Sequence, residues 1–419
     1  MLAKFAFRTL RFLRTDPRLL AYGFLLSFGS GFGQTYFIAL FSGDIRGEYG
    51  ISHGTFGAVY AAATLTSAAA LTWTGRWLDQ IDLRRWTLAM VVMLAAACLA
   101  MALAWNLASL AVAIFLLRQM GQGLMSHTSM TSQARYNVST RGRAVATAGI
   151  GHPFAEALLP PIAILLVVAI GWRQSWLLFA GAIILVVLPL SLWLLRGHGA
   201  RHETHLAASL SDVGSEGVRT TTGVRHWTRR QVLLDYRFYV MLPVIMAPAF
   251  IVTGIFFHQI LLVESKGWTI DLWASSFASF AVSSVAAALM FGIITDRVGA
   301  LRALPVMLVP LGLACLFLSI ADHASMIWVF MLLTGLTVGM ATTFFGAFWP
   351  EVYGTRHLGA IRSAGMAIMV FGSALSPVLM GALLDRGTAI ESLTLSFALA
   401  CALASALAVF VVRLYRRKV

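Results

Sequence analysis

The chain has 419 residues, of which 59% are hydrophobic and only 11% are charged. Ordinary soluble domains contain about 25% charged residues, and a soluble globule of this size could not bury so much apolar surface, so a soluble globular protein is excluded. The formal net charge of +14 comes from basic residues spread over many short segments, which argues against a nucleic-acid-binding protein.

Apolar runs of about 20 residues recur along the whole chain, and each is long enough to cross a bilayer as an α-helix. They predict an all-α membrane protein with twelve transmembrane helices, which we number spans 1 to 12. The basic residues 1–18 look like a cytoplasmic lead-in, with no cleavable signal peptide evident. The spans are predicted near residues 19–41, 53–75, 86–105, 108–132, 144–169, 174–196, 238–263, 271–294, 301–321, 325–348, 361–384 and 391–413.

The positions of lysine and arginine indicate how the spans are oriented. Most of the 31 lie in the lead-in, in the tail or in loops on the same side as the two termini. Because cytoplasmic loops are the ones enriched in positive charge, both termini are predicted to be cytoplasmic, in a bacterial inner membrane whose anionic lipids contact these loops. The predicted outer loops contain only Arg46, Arg173, Lys266 and Arg386.

The longest hydrophilic segment divides the spans six and six. It predicts an N-terminal six-helix bundle over 1–196, a cytoplasmic linker loop over 197–237 and a C-terminal six-helix bundle over 238–419. The linker is rich in Ser, Gly, Thr and Arg, a composition typical of a flexible segment.

The two halves share a sequence repeat at a constant offset. An offset of 217 positions maps Gly75 onto Gly292 and Pro160 onto Pro377. Two halves in the same orientation imply a pseudo-two-fold axis along the membrane normal. The same offset also maps Asp79 onto Asp296, Tyr136 onto Tyr353 and Gly142 onto Gly359.

The repeated loop segments, "GRWLDQIDLRR" and "GIITDRVGALR", resemble a signature of the major facilitator superfamily of secondary transporters. Gln80, Asp82 and Leu301 depart from that signature, and "RQMGQG" from Arg118 approximates a second one in span 4. The resemblance implies two pseudo-symmetric six-helix bundles and transport by alternating access, and it says almost nothing about the substrate. The residues that fit the loop signature are Gly75, Asp79, Arg84, Arg85, Gly292, Asp296, Arg297, Gly299 and Arg302.

These loop residues are candidates for gating. Glycine lets two helices pack closely where a short loop joins them, and Asp79 and Asp296 are expected to cap a helix N-terminus or to pair with nearby arginines. Such contacts would hold the cytoplasmic side shut and break as it opens. Ordinary solvated loop charges are the alternative interpretation.

The resemblance places spans 1, 4, 7 and 10 around a central cavity, so their polar residues are candidate substrate ligands. Each of them is also explained as a satisfied contact between helices. Arg118 differs, because a charge at mid-depth costs roughly 3 kcal/mol or more and needs a partner or a wet cavity. The candidates are Gln34, Tyr36, Arg118, Gln122, His258, Gln259, Thr342 and Thr343.

Span 5 contains "GIGHPFAEALLPP", which puts His152 and Glu156 one helical turn apart on the same face. Glu156 is expected about 18 Å from the cytoplasmic end of span 5, and Arg118 about 21 Å from that of span 4, which predicts a pair. Histidine titrates near neutral pH, so His152 and Glu156 are predicted to couple transport to protons. A buried pair that only locks span 4 to span 5 is the alternative. The offset maps these two residues onto Met369 and Ser373, so the fold itself does not require them.

Other chemistry is not supported. The three cysteines fall in predicted spans, which gives no disulfide framework and no metal site. The segment "HETH" from His202 lacks the spacing of a zinc-binding helix, and no Walker-type loop is present. We therefore expect neither an enzyme nor a bound cofactor or metal.

The opening half, "GFGQTYFIALFSGDIRGEYGIS", is similar to monocarboxylate and oxalate–formate type members, although the charged residues that these carriers use in spans 1 and 8 are missing. We expect a monomeric symporter that moves a small organic anion with protons, with Arg118 as the counter-charge. One alternative is proton-antiport efflux of drugs or metabolites, from whose span 5 signature this chain departs. The other is a lipid-handling or receptor-like membrane protein on the same scaffold.

Overall fold

The computed structural model describes residues 16–75, 77–137, 140–199, 203, 227–320, 322–354 and 357–416. Most of these residues are helical, and none of them lies in a strand. Among them are 11 helices long and apolar enough to cross a membrane, or up to 12 when a bent pair is counted as one span. The all-α fold with twelve predicted spans is therefore confirmed.

The spans agree closely with the predicted runs. Span 1 is the bent pair, Pro17–Gly33 and Thr35–Tyr49, with 45° between its parts. The other spans are His53–Thr74, Leu83–Ala102, Leu107–Tyr136, Gly142–Ile170, Trp172–Leu194, Tyr236–Phe257, Ile270–Thr295, Ala300–Ile320, Met326–Tyr353, Ile361–Asp385 and Ile390–Tyr415.

Polar side chains define where several helices begin. Asp16 accepts from the backbone N–H of Leu19 at the start of span 1, and Asn106 forms a capping box with Ser109 at the start of span 4. These side chains satisfy the N–H groups that the first turn of a helix leaves unpaired. A short helix, Arg229–Leu233, has its own capping box and leads into span 7.

Three spans are irregular at the depth where polar residues were predicted to gather. Span 1 tightens into a 3₁₀ turn at Ser30–Gly33 before it bends. Span 4 widens into a π-helical segment at Arg118–Met125. Span 7 is interrupted at His258, between Tyr236–Phe257 and Gln259–Ser265. Such interruptions in long helices often mark functional positions.

Span 5 has a further break near its start. Its helix Arg141–Gly149 ends just before the helix Gly151–Ile170 begins. Pro153 lies three residues after this break and has no N–H to donate to the preceding turn, which accounts for the interruption.

Contacts divide the chain into two compact units. The first consists of Met1–Gln34, Thr66–Ala155 and Ile170–Thr220, and the second consists of Thr35–Leu65, Glu156–Ala169 and Thr221–Val419. Parts of spans 1, 2 and 5 thus belong to the second unit, so these units differ in their bounds from the predicted bundles. The division into a bundle over 1–196, a linker over 197–237 and a bundle over 238–419 stays a prediction.

The first unit is held together by buried polar bonds between spans. The Tyr22 hydroxyl lies 2.7 Å from the Thr87 hydroxyl, and the Gln133 amide donates to the Leu19 carbonyl at 2.6 Å. Bonds of this kind join membrane helices where apolar burial against lipid provides little driving force.

The second unit has an aromatic core. Trp273 stacks on Phe330 with 5.7 Å between ring centroids, and the Tyr353 and Tyr415 hydroxyls lie 2.5 Å apart. Arg237 pairs with Asp235 at 2.8 Å and lies over the Tyr415 ring. Arg237, Tyr353 and Tyr415 thus connect the start of span 7 to the ends of spans 10 and 12.

Large apolar side chains cover the outside of the helices. Trp105, Val168 and Leu185 are each more than three-quarters exposed. Side chains of this type face lipid in a helical membrane protein.

Candidate functional site

The break in span 1 and the π-helical segment of span 4 lie directly against each other. A Cβ atom added to Gly33 would meet the Leu117 carbonyl oxygen and the Gln122 nitrogen. One added to Gly121 would meet the nitrogen and Cα of Gly33. The two backbones therefore touch, and only glycine at both positions permits this approach.

Arg118 lies at this contact. It is 3% exposed, and its Nη1 donates to the Gly33 carbonyl at 3.1 Å. Gln34, the next residue, has an extended backbone with φ −83 and ψ 153, so the helical hydrogen-bond pattern is interrupted there. The bond to a neutral carbonyl fixes the guanidinium in place without itself neutralising the charge.

Two predicted ligands flank this contact. Gln34 and Gln122 are both half-buried, one in the break of span 1 and one in the π-helical segment of span 4. With Arg118 they form the group that we call the Arg118 site. It combines one guanidinium with two amide groups on irregular helices.

Gln119 belongs to the same region, although the sequence reasoning missed it. Its Nε2 donates to the Thr74 hydroxyl at 2.8 Å, and its Oε1 accepts from the Ser67 hydroxyl at 3.0 Å. The side chain thus ties span 4 to span 2 and holds the neighbouring Arg118 in register. The sequence feature that could have identified Gln119 is its place as a second polar residue directly after Arg118 in span 4.

The start of span 5 packs against span 1. An added Cβ on Gly151 would meet the backbone of Phe24 and Phe28, and the Phe154 ring lies 5.6 Å from that of Phe24. His152, the residue after Gly151, is half-buried. The predicted proton-coupling residue His152 is thus carried on the part of span 5 that contacts span 1.

Glu156 lies near a residue with which it had not been paired. Glu156 is 8% exposed, and its carboxyl group lies within electrostatic range of the Tyr36 hydroxyl. Tyr36 is buried, and its hydroxyl has no hydrogen-bond partner among the residues that the structure describes. The predicted pair of Glu156 with Arg118 stays a prediction.

Gln259 acts as a bridge between helices. Its Nε2 donates to the Tyr36 carbonyl at 2.8 Å, and its Oε1 accepts from Trp273 Nε1 at 2.6 Å. His258 lies 3.2 Å from the Pro377 carbonyl through Nε2. These bonds match the alternative interpretation of Gln259 and His258 as contacts between helices.

The two threonines of span 10 also bond to backbone. Thr343 donates to the Ala288 carbonyl of span 8 at 3.0 Å, whereas the exposed Thr342 donates to Gly339 of its own helix at 2.8 Å. Thr343 therefore joins two spans, and Thr342 is the more accessible of the pair.

Of the predicted gating residues, Gly75 follows the last residue of span 2, and Gly292 lies in the last turn of span 8. An added Cβ on Gly292 would find its nearest neighbour at 3.7 Å, an ordinary contact, so this glycine is not required by close packing. The side chains of Asp79 and Asp296 lie outside the described part of the structure, so their role stays a prediction. The exposed members of the set are Arg84, Arg85, Arg297 and Arg302.

Two other carboxylates cap the helices that follow these loops. Asp82 accepts from the backbone N–H groups of Arg84 and Arg85, each at 3.1 Å. In the other half, Glu351 accepts from Ala300 at 2.7 Å, from the far end of span 10.

The repeat explains why the source of the cap differs. The offset maps Asp82 onto Gly299 and Ala134 onto Glu351. Each half therefore has one carboxylate for the same helix N-terminus, supplied locally in the first half and by span 10 in the second. Asp82, a departure from the family signature, is the residue that compensates for Ala134.

Comparison with known proteins identifies the family. The model of the Major Facilitator Superfamily matches residues 23–361, and the chain belongs to that superfamily of transporters.

Solved structures of a bacterial homolog of the human lysosomal transporter Spinster have a similar fold. The inward-facing, unoccupied form has a TM-score of 0.64 at 11% identity and covers 96% of both chains. The inward-facing, occupied form has a TM-score of 0.62 at 13% identity, with 95% of this chain and 94% of that chain covered. At these identities the likeness concerns the fold alone. No curated protein matches the chain.

Proposed function

We propose that this transporter moves a small organic anion together with protons, by alternating access, and that Arg118 binds the anion. The proposal depends on one observation, the buried Arg118 guanidinium held at the contact between the break in span 1 and the π-helical segment of span 4. A charge at this depth requires a function or a partner to offset its desolvation.

The chemistry of the Arg118 site suits a carboxylate. A guanidinium presents parallel N–H donors that match the two oxygens of a carboxylate. Gln34 and Gln122 add neutral donors and acceptors that would orient the rest of a small solute. Interrupted helices expose backbone groups at ligand sites in other transporter folds, because irregular backbone is tolerated where it lines a cavity.

Glu156 and His152 would carry the proton. The sequence predicts Glu156 and Arg118 at similar depths on adjacent spans. An ionised Glu156 would therefore hold Arg118 away from the anion, whereas a protonated Glu156 would release it. The buried Tyr36 hydroxyl, within electrostatic range of Glu156, is a group that can both donate and accept a hydrogen bond as the carboxyl changes its state. Proton uptake and anion binding would thus depend on each other.

The setting of this activity is also part of the proposal. We place the protein as a monomer in a bacterial inner membrane, with both termini and the linker over 197–237 in the cytoplasm. A cysteine introduced into the linker should react with an impermeant maleimide only after the cell is opened. Reaction in intact cells would mean that the protein has the opposite orientation in the membrane.

Uptake by proteoliposomes tests the function. Purified protein is first screened against small mono- and dicarboxylates for a ligand-induced rise in unfolding temperature, since a ligand at one hundred times its Kd adds about 2.7 kcal/mol. The solute found is then offered to proteoliposomes with and without an inward proton gradient. We expect the gradient to drive accumulation in the parent protein.

Arg118→Lys keeps the charge and should lose most binding, because a single ammonium lacks the paired donors. Arg143→Ala, which removes an exposed arginine from the start of span 5, is the matched control and should bind as the parent does. Equal binding by Arg118→Lys and the parent would contradict the assignment of Arg118. Accumulation driven by the opposite gradient would favour efflux by antiport, and no solute-linked flux would favour the lipid-handling or receptor-like alternative.

A further inference from the structure

A single carboxylate joins spans 2 and 11 at the ends that lie away from the chain termini, which we call the outer ends. Asp385, the last residue of span 11, accepts from the backbone N–H of His53 at 3.0 Å. Its second oxygen accepts from the N–H of Gly54 at 2.9 Å. These are the first two N–H groups of span 2, which have no partner within their own helix and carry the positive end of its dipole.

Below this bond the two spans touch through their backbones. An added Cβ on Gly57 would meet the Pro377 carbonyl, and one on Gly381 would meet the His53 carbonyl. No side chain separates the helices over these turns. Since both bonds of Asp385 need this close approach, any separation of the outer ends breaks them together.

Spans 1 and 7 close around the same point. Arg46 Nη1 lies 3.1 Å from His53 Nε2, and the His53 and His258 rings are 5.6 Å apart. Phe257 stacks on Phe56 at 5.1 Å. The side chains that line the small cavity here are Ser42, Arg46, His53, Phe56, Phe257, His258 and Leu261.

The repeat shows that the fold does not need this carboxylate. The offset maps His53 onto Ile270 and Asp385 onto Val168, a largely exposed apolar residue near the end of span 5. At the related junction, between spans 5 and 8, the position of Asp385 is therefore apolar. Among the described residues, the repeat does not reproduce the Asp385 cap at this second junction.

We propose that Asp385 is the latch of the outer gate. Its two hydrogen bonds hold the outer ends of spans 2 and 11 together while that side is closed, and they break each time the protein opens outward. A bond present in only one of two states biases the population toward that state by its own free energy. Loss of the latch should therefore increase the outward-open fraction without affecting the Arg118 site.

The accessibility of Ser42 reports on this gate. Ser42 is 4% exposed and lies beneath the closed outer ends. Ser42→Cys is introduced into a protein whose three cysteines are replaced by serine, and an impermeant maleimide is added to one side of reconstituted vesicles at a time. We expect Asp385→Ala to raise the labelling rate from the outer side by about five- to tenfold. Asp385→Asn, which keeps one acceptor oxygen and loses the charge, should raise it by about threefold.

Two controls separate a gate from general loosening. Asp271→Ala removes the exposed acid at the start of span 8, the repeat partner of Gly54, and should leave the labelling rate unchanged. Ser175→Cys, at a fully buried position near the start of span 6, should stay unreactive in the Asp385 variants. Unchanged labelling of Ser42→Cys in both Asp385 variants would overturn the proposal. An equal rise at Ser175→Cys, or labelling only from the side of the termini, would overturn it as well.

Discussion

Arg118 donates to the carbonyl oxygen of Gly33 at 3.1 Å, and this bond connects the widened part of span 4 to the break in span 1. The two irregularities therefore support each other. The extended backbone at Gln34 interrupts the helical pattern, and the guanidinium satisfies a carbonyl beside that interruption. Gly33 and Gly121 make the bond possible because they remove every side-chain atom from between the helices.

Gly33→Ala and Gly121→Ala should each destabilise the protein by about 1–3 kcal/mol, because the added methyl group overlaps backbone atoms that have no room to move. Gly181→Ala is the matched control, since no atom lies within 4 Å of an added Cβ there. Thermal unfolding of the purified variants measures the difference. Unfolding temperatures equal to that of Gly181→Ala would mean that spans 1 and 4 are not held as described.

Glu156→Gln should retain exchange of substrate for substrate while net uptake loses its dependence on the pH gradient. The amide imitates the protonated carboxyl, so under the proposed mechanism the variant stays in the state that releases Arg118. Uptake measured at several external pH values, with a fixed internal pH, checks this. Glu264→Gln, which changes an exposed acid in the last turn of the helix Gln259–Ser265, should behave as the parent. Parent-like pH dependence in both Glu156→Gln and His152→Ala would leave these residues with a packing role only.

Tyr36→Phe should leave the unfolding temperature unchanged and slow proton-driven uptake. The lost hydroxyl has no hydrogen-bond partner among the described residues, so its removal leaves no buried donor or acceptor unpaired. Tyr60→Phe gives the contrast. It breaks a bond of 2.5 Å to the Thr35 hydroxyl, should cost about 1 kcal/mol, and should keep its proton coupling. A loss of stability in Tyr36→Phe equal to that in Tyr60→Phe would argue that the Tyr36 hydroxyl is structural.

Glu351→Ala and Asp82→Ala should destabilise the protein by similar amounts, about 1 kcal/mol each, because each removes the cap of the same helix in its own half. Glu351→Ala should also raise the reactivity of a cysteine placed at Arg302, since the helix start is then no longer tied to span 10. A cysteine at Arg84 in the Asp82→Ala variant is the comparison. No change at either reporter would show that these caps do not hold the loops in place.

The sequence predicts the spans well because hydropathy reports on lipid exposure residue by residue. It also places Arg118 in the middle of span 4, where the structure has it. It does not predict that Gln119 bonds to span 2 or that Glu351 caps a helix that begins 51 positions earlier. Those contacts depend on which helices become neighbours, and apolar periodicity contains little information about polar partners on another span. The side chains of Asp79 and Asp296 belong to neither group, since they lie outside the described residues.

The widened turn of span 4 has a mechanical consequence. A π-helical segment contains one residue more than an α-helix of the same number of turns. The extra residue can pass along the helix as hydrogen-bond partners are exchanged one at a time, and each exchange turns the residue it passes by about 100° about the axis. Movement of the extra residue would thus change the face of span 4 on which Gln122 lies, while the two ends of the helix keep their positions.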